Sequence, residues 1–482
     1  MKSIKRNFLY NILLNISKVI FPLITAPYVS RVLEPDGVGL FNFANTYACY
    51  FSLFAALGIP YYGIREIAKI KDNTKEQTIF ISEIISISIV VTLICSIILF
   101  LSIIFVPQLN ENYFVFLVAG IILYTTPFKV DWFFQGKEEF AYITFRSLVV
   151  KALSVLLLFL LVHEKNDLLI YVTLNATAEV SNEIWNFIKL NQSGIHPCFT
   201  LSGKYHLKPL LILFSSSIAI SIYTMLDTLM LGFMTDYKEV GYYNCATHIS
   251  KALVPIVTSL SAVVLPRVTL LKKEGKWDDI NGLMNKSFSI VSFLSFPIAF
   301  SVIALAPVFV PLFYGEQFYG TIIPLQIIII TVIVIGFNNL TGVQILLGFG
   351  FDKLFLYSIL SGTITNFSLN LILIPLFGAS GAAFSSVLAE IVILVVMLHF
   401  IYRKTPIRFN NIRESVFNIL IACSFFLISY LIFQTERNWL SLFIIAIICS
   451  LWYLTCQYLL KNKTEKEILA LICKKIQNVR TN

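Results

Sequence analysis

The sequence predicts an all-α integral membrane protein with about fourteen transmembrane helices, on the basis of three observations. Hydrophobic residues make up 57% of the 482 residues and charged residues only 13%, whereas a soluble domain carries about a quarter charged residues. Apolar runs of about 20 residues, long enough to cross a bilayer, recur throughout the chain. Lysine and arginine gather in alternate connections between these runs. The apolar runs of this chain are therefore predicted to lie in the hydrocarbon core of a membrane.

The apolar runs give the predicted order of the spans along the chain. Proline and glycine interrupt several runs, and membrane helices tolerate such residues because neighbouring groups satisfy the freed backbone atoms. The predicted spans, in order, are 8–32, 38–62, 79–105, 113–135, 143–162, 168–190, 208–234, 240–266, 286–306, 321–348, 354–375, 380–401, 416–434 and 439–460.

The positions of lysine and arginine predict the orientation of the spans. With the N-terminus inside, 27 of the 36 basic residues fall in cytoplasmic segments and five fall within spans. The opposite side receives only Arg31, Lys165, Lys238 and Arg437. This asymmetry predicts an even number of spans with both termini in the cytoplasm. After residue 460 we expect either an amphipathic helix on the inner surface or a frayed tail.

The composition also excludes several classes of function. The net charge of +9 lies in short connections rather than on one face of a soluble domain, so no nucleic-acid partner is expected. The eight cysteines form no close CxxC pair, and most lie in apolar runs where buried thiols are expected. The sequence contains no P-loop, nucleophile elbow or clustered metal ligands. We therefore expect no enzyme, no metal and no cofactor.

A short repeat predicts the organisation of the spans. VGLFNFA at Val38–Ala44 recurs as VGYYNCA at Val240–Ala246, 202 positions later, each time at the start of an even-numbered span. The repeat unit is six spans, which predicts two parallel six-helix lobes and two extra helices. The predicted divisions are an N-terminal lobe (1–190), a cytoplasmic linker (191–207), a C-terminal lobe (208–402), and helices 13 and 14 with the tail (403–482). A substrate cleft is expected between the lobes.

Longer segments resemble the Wzx-type polysaccharide flippases of the polysaccharide transporter family. PYVSRVLEPDGVGLFNFA (Pro27–Ala44) and LGIPYYGIREIA (Leu57–Ala68) resemble the opening of these proteins. FFQGKEEF (Phe133–Phe140) is similar to their fourth-to-fifth helix junction, and LLGFGFDKLFLYSILSGTITNFSLNLILIPLFGASGAAFSSVLAE (Leu346–Glu390) to their tenth-to-twelfth helix region. The chain departs from the family at Glu34, where glycine is more common, which predicts a less sharp turn there.

The resemblance implies a fold and a function. The family belongs to the MOP flippase superfamily, which also contains the lipid II flippase and the MATE drug exporters. The resemblance implies a multi-pass transporter of the bacterial cytoplasmic (inner) membrane. Such a transporter flips undecaprenyl-pyrophosphate-linked O-antigen or capsular repeat units to the outer leaflet, for lipopolysaccharide or capsule synthesis. The implied partners are the lipid-linked oligosaccharide, the lipid bilayer, and a polysaccharide polymerase with its chain-length regulator.

Basic residues inside or at the ends of spans are the first candidates for substrate binding, because each costs about 2.5–3.5 kcal/mol to insert. Guanidinium and ammonium groups would bind the pyrophosphate, whereas amides, hydroxyls and aromatic faces of the second span would contact sugars. Snorkelling or buried ion pairs are the alternatives for the bases. The predicted substrate-binding residues are Lys18, Arg31, Arg146, Lys151, Lys251, Asn42, Asn45 and Tyr47.

Acids within the spans are the candidates for coupling to an ion. Asp227 and Asp131 are the predicted sites for sodium or a proton, and the alternative for Asp227 is a structural salt bridge to a basic residue. The remaining intramembrane acids are Glu179, Glu183 and Glu390. The membrane potential alone offers a second source of energy, since a charge of −2 crossing ~100 mV gains roughly 5 kcal/mol.

Two other functions would suit a polytopic membrane protein. A MATE-type cation-coupled drug exporter would share the fold, but its cleft should be net acidic, whereas the candidate bases here are at least as numerous as the acids. A membrane polysaccharide polymerase would be expected to carry a sizeable outward loop, and the outward connections of this chain are all short. Both are weaker predictions than the flippase.

Overall fold

The computed structural model describes residues 4–70, 73–200, 202–433 and 438–460. Long helices dominate these ranges, and no strand occurs in them. The chain divides into two compact units that meet in sequence at the Gly241–Tyr242 peptide. The predicted lobe boundaries at 190 and 208 stay a prediction. Arg437 and the predicted amphipathic tail after residue 460 lie outside the described residues.

The first unit is built from helices and short 3-10 turns. The turns are Thr126–Phe128, Lys165–Asp167 and Gly203–His206. The helices are α1 (Ile4–Ala56), α2 (Ile59–Lys69), α3 (Thr74–Phe105), α4 (Pro107–Asn110), α5 (Tyr113–Ala119), α6 (Ile121–Tyr124), α7 (Asp131–Gly136), α8 (Phe140–Leu161), α9 (Leu168–Gln192) and α10 (Leu207–Met234).

The second unit begins within α11, whose first residues belong to the first unit. A 3-10 segment, Glu316–Thr321, and a π-helix, Asn339–Leu347, lie between its α-helices. The helices are α11 (Tyr237–Thr258), α12 (Ser261–Lys273), α13 (Trp277–Tyr314), α14 (Ile322–Ile328), α15 (Ile330–Asn338), α16 (Asp352–Lys404), α17 (Ile412–Phe433) and α18 (Trp439–Leu459).

Among the described residues, nine helical stretches are long and apolar enough to cross a membrane. Two of them, Leu9–Lys69 and Asp352–Lys404, each contain two predicted spans. The backbone leaves the helical conformation inside both, at Glu34 and at Gly378. The prediction of an all-α, multi-pass membrane protein is confirmed, whereas the number of crossings stays a prediction.

The break at Glu34 has a local cause. Glu34 has φ 57° and ψ 175°, a conformation that glycine adopts easily and other residues rarely do. Pro35 follows it and has no N–H to continue the helical hydrogen bonds. The carboxylate of Glu34 lies 2.6 Å from Nζ of Lys165. Glutamate in place of the family's glycine therefore leaves the helix break in place.

Three hydrogen bonds fix α8 beside α1. Thr144 donates to the carbonyl of Tyr10 at 3.0 Å, and Tyr28 donates to the carbonyl of Val162 at 2.6 Å. Between them, Lys151 donates to Ser17 Oγ at 3.2 Å. All three bonds have the same separation of 134 residues, so the two helices run parallel and in register. The predicted topology also gives the first and fifth spans the same direction.

The second unit shows the same parallel relationship between α13 and the start of α17. Ser289 donates to Glu414 at 2.7 Å, and Asn418 donates to Ser292 at 2.9 Å. Tyr453 of α18 donates to the carbonyl of Phe293 at 3.0 Å. Such hydrogen bonds hold helices together in lipid, where the hydrophobic effect does not. Helices α17 and α18 are therefore attached to α13.

A segment before α10, residues 195–200 and 202–206, lies along one polar face of α3. Ser82 and Ser86 accept hydrogen bonds from the backbone N–H groups of Cys198 and Thr200, at 3.0 and 2.9 Å. Two residues of extended chain span about 6.6 Å and four residues of helix about 6 Å. The distance between alternate N–H groups of the extended segment therefore equals the distance between two serines one turn apart on α3, and both hydrogen bonds can form together.

Glu83 binds the end of this segment through hydrogen bonds. Its carboxylate accepts hydrogen bonds from Ser202 at 3.1 Å, from Tyr205 at 2.6 Å and from His206 Nε2 at 3.1 Å. Nδ1 of His206 lies 2.7 Å from the hydroxyl of Tyr62 on α2. Glu83 and His206 are both about 5% exposed. The cluster therefore connects α2, α3 and the start of α10 within the first unit.

Candidate functional site

The candidate site is a pocket of about 300 Å³ between α1, α8 and α9. Each helix contributes residues spaced by three or four, which lie on one face of a helix. One face of each of the three helices therefore lines the cavity. The lining residues used below are Lys18, Phe21 and Thr25 from α1, Lys151 and Ser154 from α8, and Tyr171, Asn175, Glu179 and Asn182 from α9.

Two lysines face this pocket from different helices. Lys151 is half-buried, and its ammonium lies 3.2 Å from Ser17 Oγ and 5.7 Å from the ring centroid of Phe21. Lys18 is exposed on α1, and no carboxylate of the described residues forms an ion pair with it. Neighbouring like charges repel, and an anion between them relieves that repulsion. The pocket is suited to an anionic group.

The acceptor groups of the pocket come from α9. Glu179 is half-buried, and its carboxylate has no hydrogen-bond or ion-pair partner among the described residues. Asn175 lies one turn before it and donates its Nδ2 to the carbonyl of Tyr171 at 2.8 Å. The ring of Tyr171 contacts that of Phe41 edge to face, with centroids 4.7 Å apart. The site therefore combines two cations with oxygen acceptors.

Arg146 and Asp131 were predicted in different roles, and the structure brings them together. Arg146 is 2% exposed, and its Nη1 lies 2.8 Å from Asp131 Oδ1. Arg146 also donates to Asn182 at 3.0 Å and to Asn186. Asn186 donates to Asp131 at 2.9 Å and to Glu183 at 3.1 Å. The guanidinium is neutralised beside the pocket, on the same helix as Lys151, and its predicted role in substrate binding stays a prediction.

The remaining candidates on α1 lie outside the pocket. Arg31 is exposed and donates to the carbonyl of Pro27 at 3.2 Å. Asn42 donates to the carbonyl of Val38 at 2.8 Å, within its own helix. Asn45 is half-buried. Tyr47 packs in an aromatic group, with ring centroids 5.2 Å from Phe51, 5.9 Å from Phe233, 6.1 Å from Phe116 and 6.3 Å from Phe43.

Two candidates lie on α10 and α11. Asp227 is buried in the first unit at 8% exposure, within electrostatic reach of Tyr50. Lys251 is exposed in the second unit, and His248, one turn before it, is half-buried. Their predicted roles in ion coupling and substrate binding stay predictions. In the part of the chain that the structure describes, no group of three or more potential metal ligands occurs.

The sequence carried a signal for residues of α9 that were not predicted. Asn175, Asn182 and Asn186 contribute to the pocket or to the Arg146 cluster. Positions 171, 175, 179, 182 and 186 follow one face of a helix at steps of three or four. A polar stripe within an apolar span indicates a face that does not meet lipid. The stripe would have identified the face, but not which neighbouring helices it meets.

The sequence matches known proteins over most of its length. A family model described as polysaccharide biosynthesis protein matches residues 4–272. A candidate O-antigen transporter of Escherichia coli K12 is 27% identical over 416 residues, covering 83% of this chain and 97% of that protein. A candidate O-antigen transporter of Shigella dysenteriae is 23% identical over 398 residues, covering 82% of this chain and 99% of that protein.

Two solved transporter structures share the fold of this chain. The lipid II flippase MurJ, in an inward closed conformation, has a TM-score of 0.71 at 16% identity and covers 94% of this chain and 98% of its own. An inward-facing multidrug resistance MATE transporter of the MOP superfamily has a TM-score of 0.57 at 14% identity, covering 80% and 94%. The predicted MOP flippase-like fold is confirmed.

The family model covers more than half of the chain and includes all three helices of the pocket. Its description, the names of the relatives and the shared fold agree with the resemblance found in the sequence. The relatives and the solved structures are named as transporters or flippases, not as enzymes. The predicted resemblance is confirmed. This chain belongs to the polysaccharide biosynthesis protein family.

Proposed function

We propose that this chain is a flippase for lipid-linked oligosaccharides. It moves undecaprenyl-pyrophosphate-linked repeat units of an O-antigen or a capsule from the inner to the outer leaflet of the bacterial cytoplasmic membrane. The observation that carries the proposal is the pocket of α1, α8 and α9, where Lys18 and Lys151 face one cavity that is otherwise lined largely by apolar residues. The similarity to candidate O-antigen transporters supports this substrate class.

The proposed binding step uses the two ammonium groups. Lys18 and Lys151 bind the pyrophosphate with charge-assisted hydrogen bonds, which are about twice as strong as neutral ones. The polyprenyl tail stays in the lipid, because moving it into a polar pocket would lose its favourable contacts with hydrocarbon. The headgroup alone therefore has to pass through protein.

Alternating access of two lobes is the proposed transport cycle. Both termini lie in the cytoplasm in this scheme, and the pocket opens first to the inner leaflet. The inside-negative potential drives the anionic headgroup outward, with roughly 5 kcal/mol for a charge of −2 and ~100 mV. A coupling ion, sodium or a proton at Asp227 or Asp131, is the alternative energy source. The flipped unit then passes to a polysaccharide polymerase and its chain-length regulator.

A cation-drug exporter with the same fold is the second candidate. The charges of the pocket weigh against it, since Lys18 and Lys151 outnumber the carboxylate of Glu179. A cationic drug would meet net repulsion there. We therefore rank the anionic lipid-linked substrate first.

Depletion of the protein tests the proposed function. A flippase defect leaves lipid-linked repeat units in the inner leaflet, where a membrane-impermeant glycosidase added outside cannot reach them. A polymerase defect leaves single units on the outer leaflet, accessible to the same enzyme. A drug-exporter defect changes neither pool and lowers resistance to cationic compounds. Accessible single units, or an unchanged lipid pool, would rule out the flippase.

A further inference from the structure

The carboxylate of Glu179 is out of place in a site for pyrophosphate alone. It is half-buried in the same pocket as Lys18 and Lys151, and it repels any anion bound to them. Other buried carboxylates of this unit have partners, as Glu183 has Asn186 and Glu83 has Tyr205. Glu179 has no such hydrogen bond among the described residues, and the ammonium of Lys151 acts on it only through the electrostatic field. A hydrogen-bond donor to Glu179 is therefore expected in the ligand.

The groups around Glu179 indicate which hydrogen-bonding groups a ligand needs. An ionised carboxylate only accepts hydrogen bonds, through two oxygens. Asn175, one turn away, donates its Nδ2 to the carbonyl of Tyr171, which leaves its Oδ1 as an acceptor directed away from that bond. This side of the pocket thus presents acceptors, whereas Lys18 and Lys151 present donors. A ligand that fits both sides carries an anionic group joined to hydroxyl donors.

The size of the pocket limits how much of the ligand it holds. Its volume of about 300 Å³ lies at the lower limit of the range for small-molecule sites. A pyrophosphate with one sugar is of this size, and a whole repeat unit is larger. The pocket therefore fits the part of a lipid-linked oligosaccharide nearest the lipid.

We propose that Glu179 is a specificity-determining residue that binds the first sugar of the substrate. Its two oxygens accept hydrogen bonds from adjacent hydroxyls of the sugar joined to the pyrophosphate, and Asn175 supplies a further acceptor. Lys18 and Lys151 hold the pyrophosphate at the same time. This inference rests on the proposed function. It assigns recognition of the sugar and recognition of the phosphates to separate side chains.

Binding to the purified full-length protein in nanodiscs tests the inference. The probes are farnesyl diphosphate and its derivatives capped with glucose, galactose or N-acetylglucosamine. In the unchanged protein the best capped probe should bind roughly tenfold more tightly than the uncapped one, since a buried site built for hydroxyls discriminates strongly. In Glu179→Gln this advantage should fall to about two- to threefold or less, because one of the two acceptor oxygens is replaced by an amide donor and the remaining oxygen is uncharged.

The affinity for uncapped farnesyl diphosphate should change in the opposite direction. Glu179→Gln removes a repulsive charge, so this probe should bind a few times more tightly. Glu111→Gln, which alters an exposed carboxylate outside the pocket, should leave both affinities unchanged. Lys151→Ala should weaken both probes, and this result tests the proposed function rather than the inference.

The outcomes separate the two proposals. An unaltered sugar advantage in Glu179→Gln, or no advantage for any cap in the unchanged protein, would overturn the assignment of Glu179 and leave the lysines' role intact. Equal weakening of all probes in Glu179→Gln would also overturn it, since the residue would then support the whole pocket. Unchanged binding in Lys151→Ala would instead refute the pyrophosphate site.

Discussion

Gly39 and Gly241, the glycines of the two VG repeats, pack directly against each other. A Cβ added to Gly39 would lie 2.9 Å from the backbone nitrogen of Gly241 and 1.7 Å from the carbonyl oxygen of Tyr237. A Cβ added to Gly241 would lie 2.3 Å from the carbonyl oxygen of Pro35. Real Cβ atoms do not approach backbone so closely, and only glycine permits this crossing of α1 and α11.

Gly39→Ala and Gly241→Ala should therefore each disrupt the first unit. The clash is with backbone atoms, which cannot rotate away, so we expect a loss of about 3 kcal/mol or more in the free energy of unfolding. The measurement is the melting temperature in detergent, with the amount of membrane-inserted protein. Gly282→Ala is the control, because a Cβ there meets nothing within 4 Å. A melting temperature unchanged in Gly39→Ala would contradict the packing.

The two glycines also show how far the sequence could predict the fold. The repeat predicted two related halves, and hydropathy predicted the helices and their order. Neither could predict that the glycines meet, because contact between helices distant in sequence depends on how the side chains of both pack. The π-helix Asn339–Leu347 was likewise absent from the prediction, since apolar periodicity does not distinguish it from an α-helix.

The sequence predicted only part of the candidate site, because the site also depends on contacts between helices that are distant in sequence. The cost of charge in lipid identified Lys18, Lys151, Arg146 and Asp131 as residues with a role. It did not reveal that the first two share a pocket whereas Arg146 pairs with Asp131. Partner choice follows from the three-dimensional register of α1, α7, α8 and α9, and a single sequence carries no direct signal for it.

The Arg146–Asp131 pair should act mainly in stability. Arg146→Met leaves the carboxylate of Asp131 without its counter-charge, with only the amide of Asn186 still donating to it, and should cost about 3 kcal/mol, the lower end of the range for breaking a buried pair. Solvent reaches this pair and lowers the cost of breaking it, because the side chain of Asp131 is 39% exposed. The double variant Arg146→Met with Asp131→Leu should recover much of this loss. Melting curves of the single and double variants measure the coupling, and additive losses would argue against the pair.

Lys151 should instead act mainly in transport. Lys151→Ala removes a charge-assisted contact to the proposed pyrophosphate, worth about 1.5–3 kcal/mol, so export should fall about tenfold or more. The chain should still reach the membrane, since Lys151 has only one hydrogen bond to a side chain, at 3.2 Å to Ser17. Surface polysaccharide per unit of membrane-inserted protein is the measure. Lys204→Ala, an exposed lysine before α10, is the control.

Arg31→Ala is expected to have the same effect as Lys151→Ala, because the sequence makes Arg31 a candidate for substrate binding. Its exposure leaves the guanidinium accessible to a ligand or to lipid headgroups. Full export in both variants would refute a role for these cations in substrate binding. Loss in Lys151→Ala alone would confine the phosphate contact to the pocket.

Replacing Glu34 by glycine should stabilise the chain. The conformation at φ 57° and ψ 175° is strained for glutamate by about 1–3 kcal/mol, and glycine relieves it. The variant also loses the bond to Lys165, whose pKa Glu34 raises by accepting its hydrogen bond. The ion pair with Glu34 contributes to the free energy of unfolding below the ordinary lysine pKa, and this contribution is lost as the pH rises through the raised pKa of Lys165. The contribution is small because the pair is exposed. We expect a higher melting temperature at pH 7. Glu34→Ala, which loses the pair but keeps the strain, should not show the gain.

The Glu83 cluster should decide whether the segment before α10 stays on α3. In Glu83→Ala the donors of Ser202, Tyr205 and His206 lose their common acceptor, and His206 is only 4% exposed. Each buried donor left without a partner costs about 1–3 kcal/mol.

We therefore expect a lower melting temperature in Glu83→Ala and cleavage by a protease within residues 195–206, where the unchanged protein is protected. Glu83→Gln keeps one acceptor oxygen and should show an intermediate effect, whereas Glu111→Ala, which alters an exposed glutamate outside the cluster, should resemble the unchanged protein. If Glu83→Ala lowers the melting temperature without exposing the segment, the cluster stabilises α3 but does not hold the segment, because Ser82 and Ser86 then suffice to retain Cys198 and Thr200.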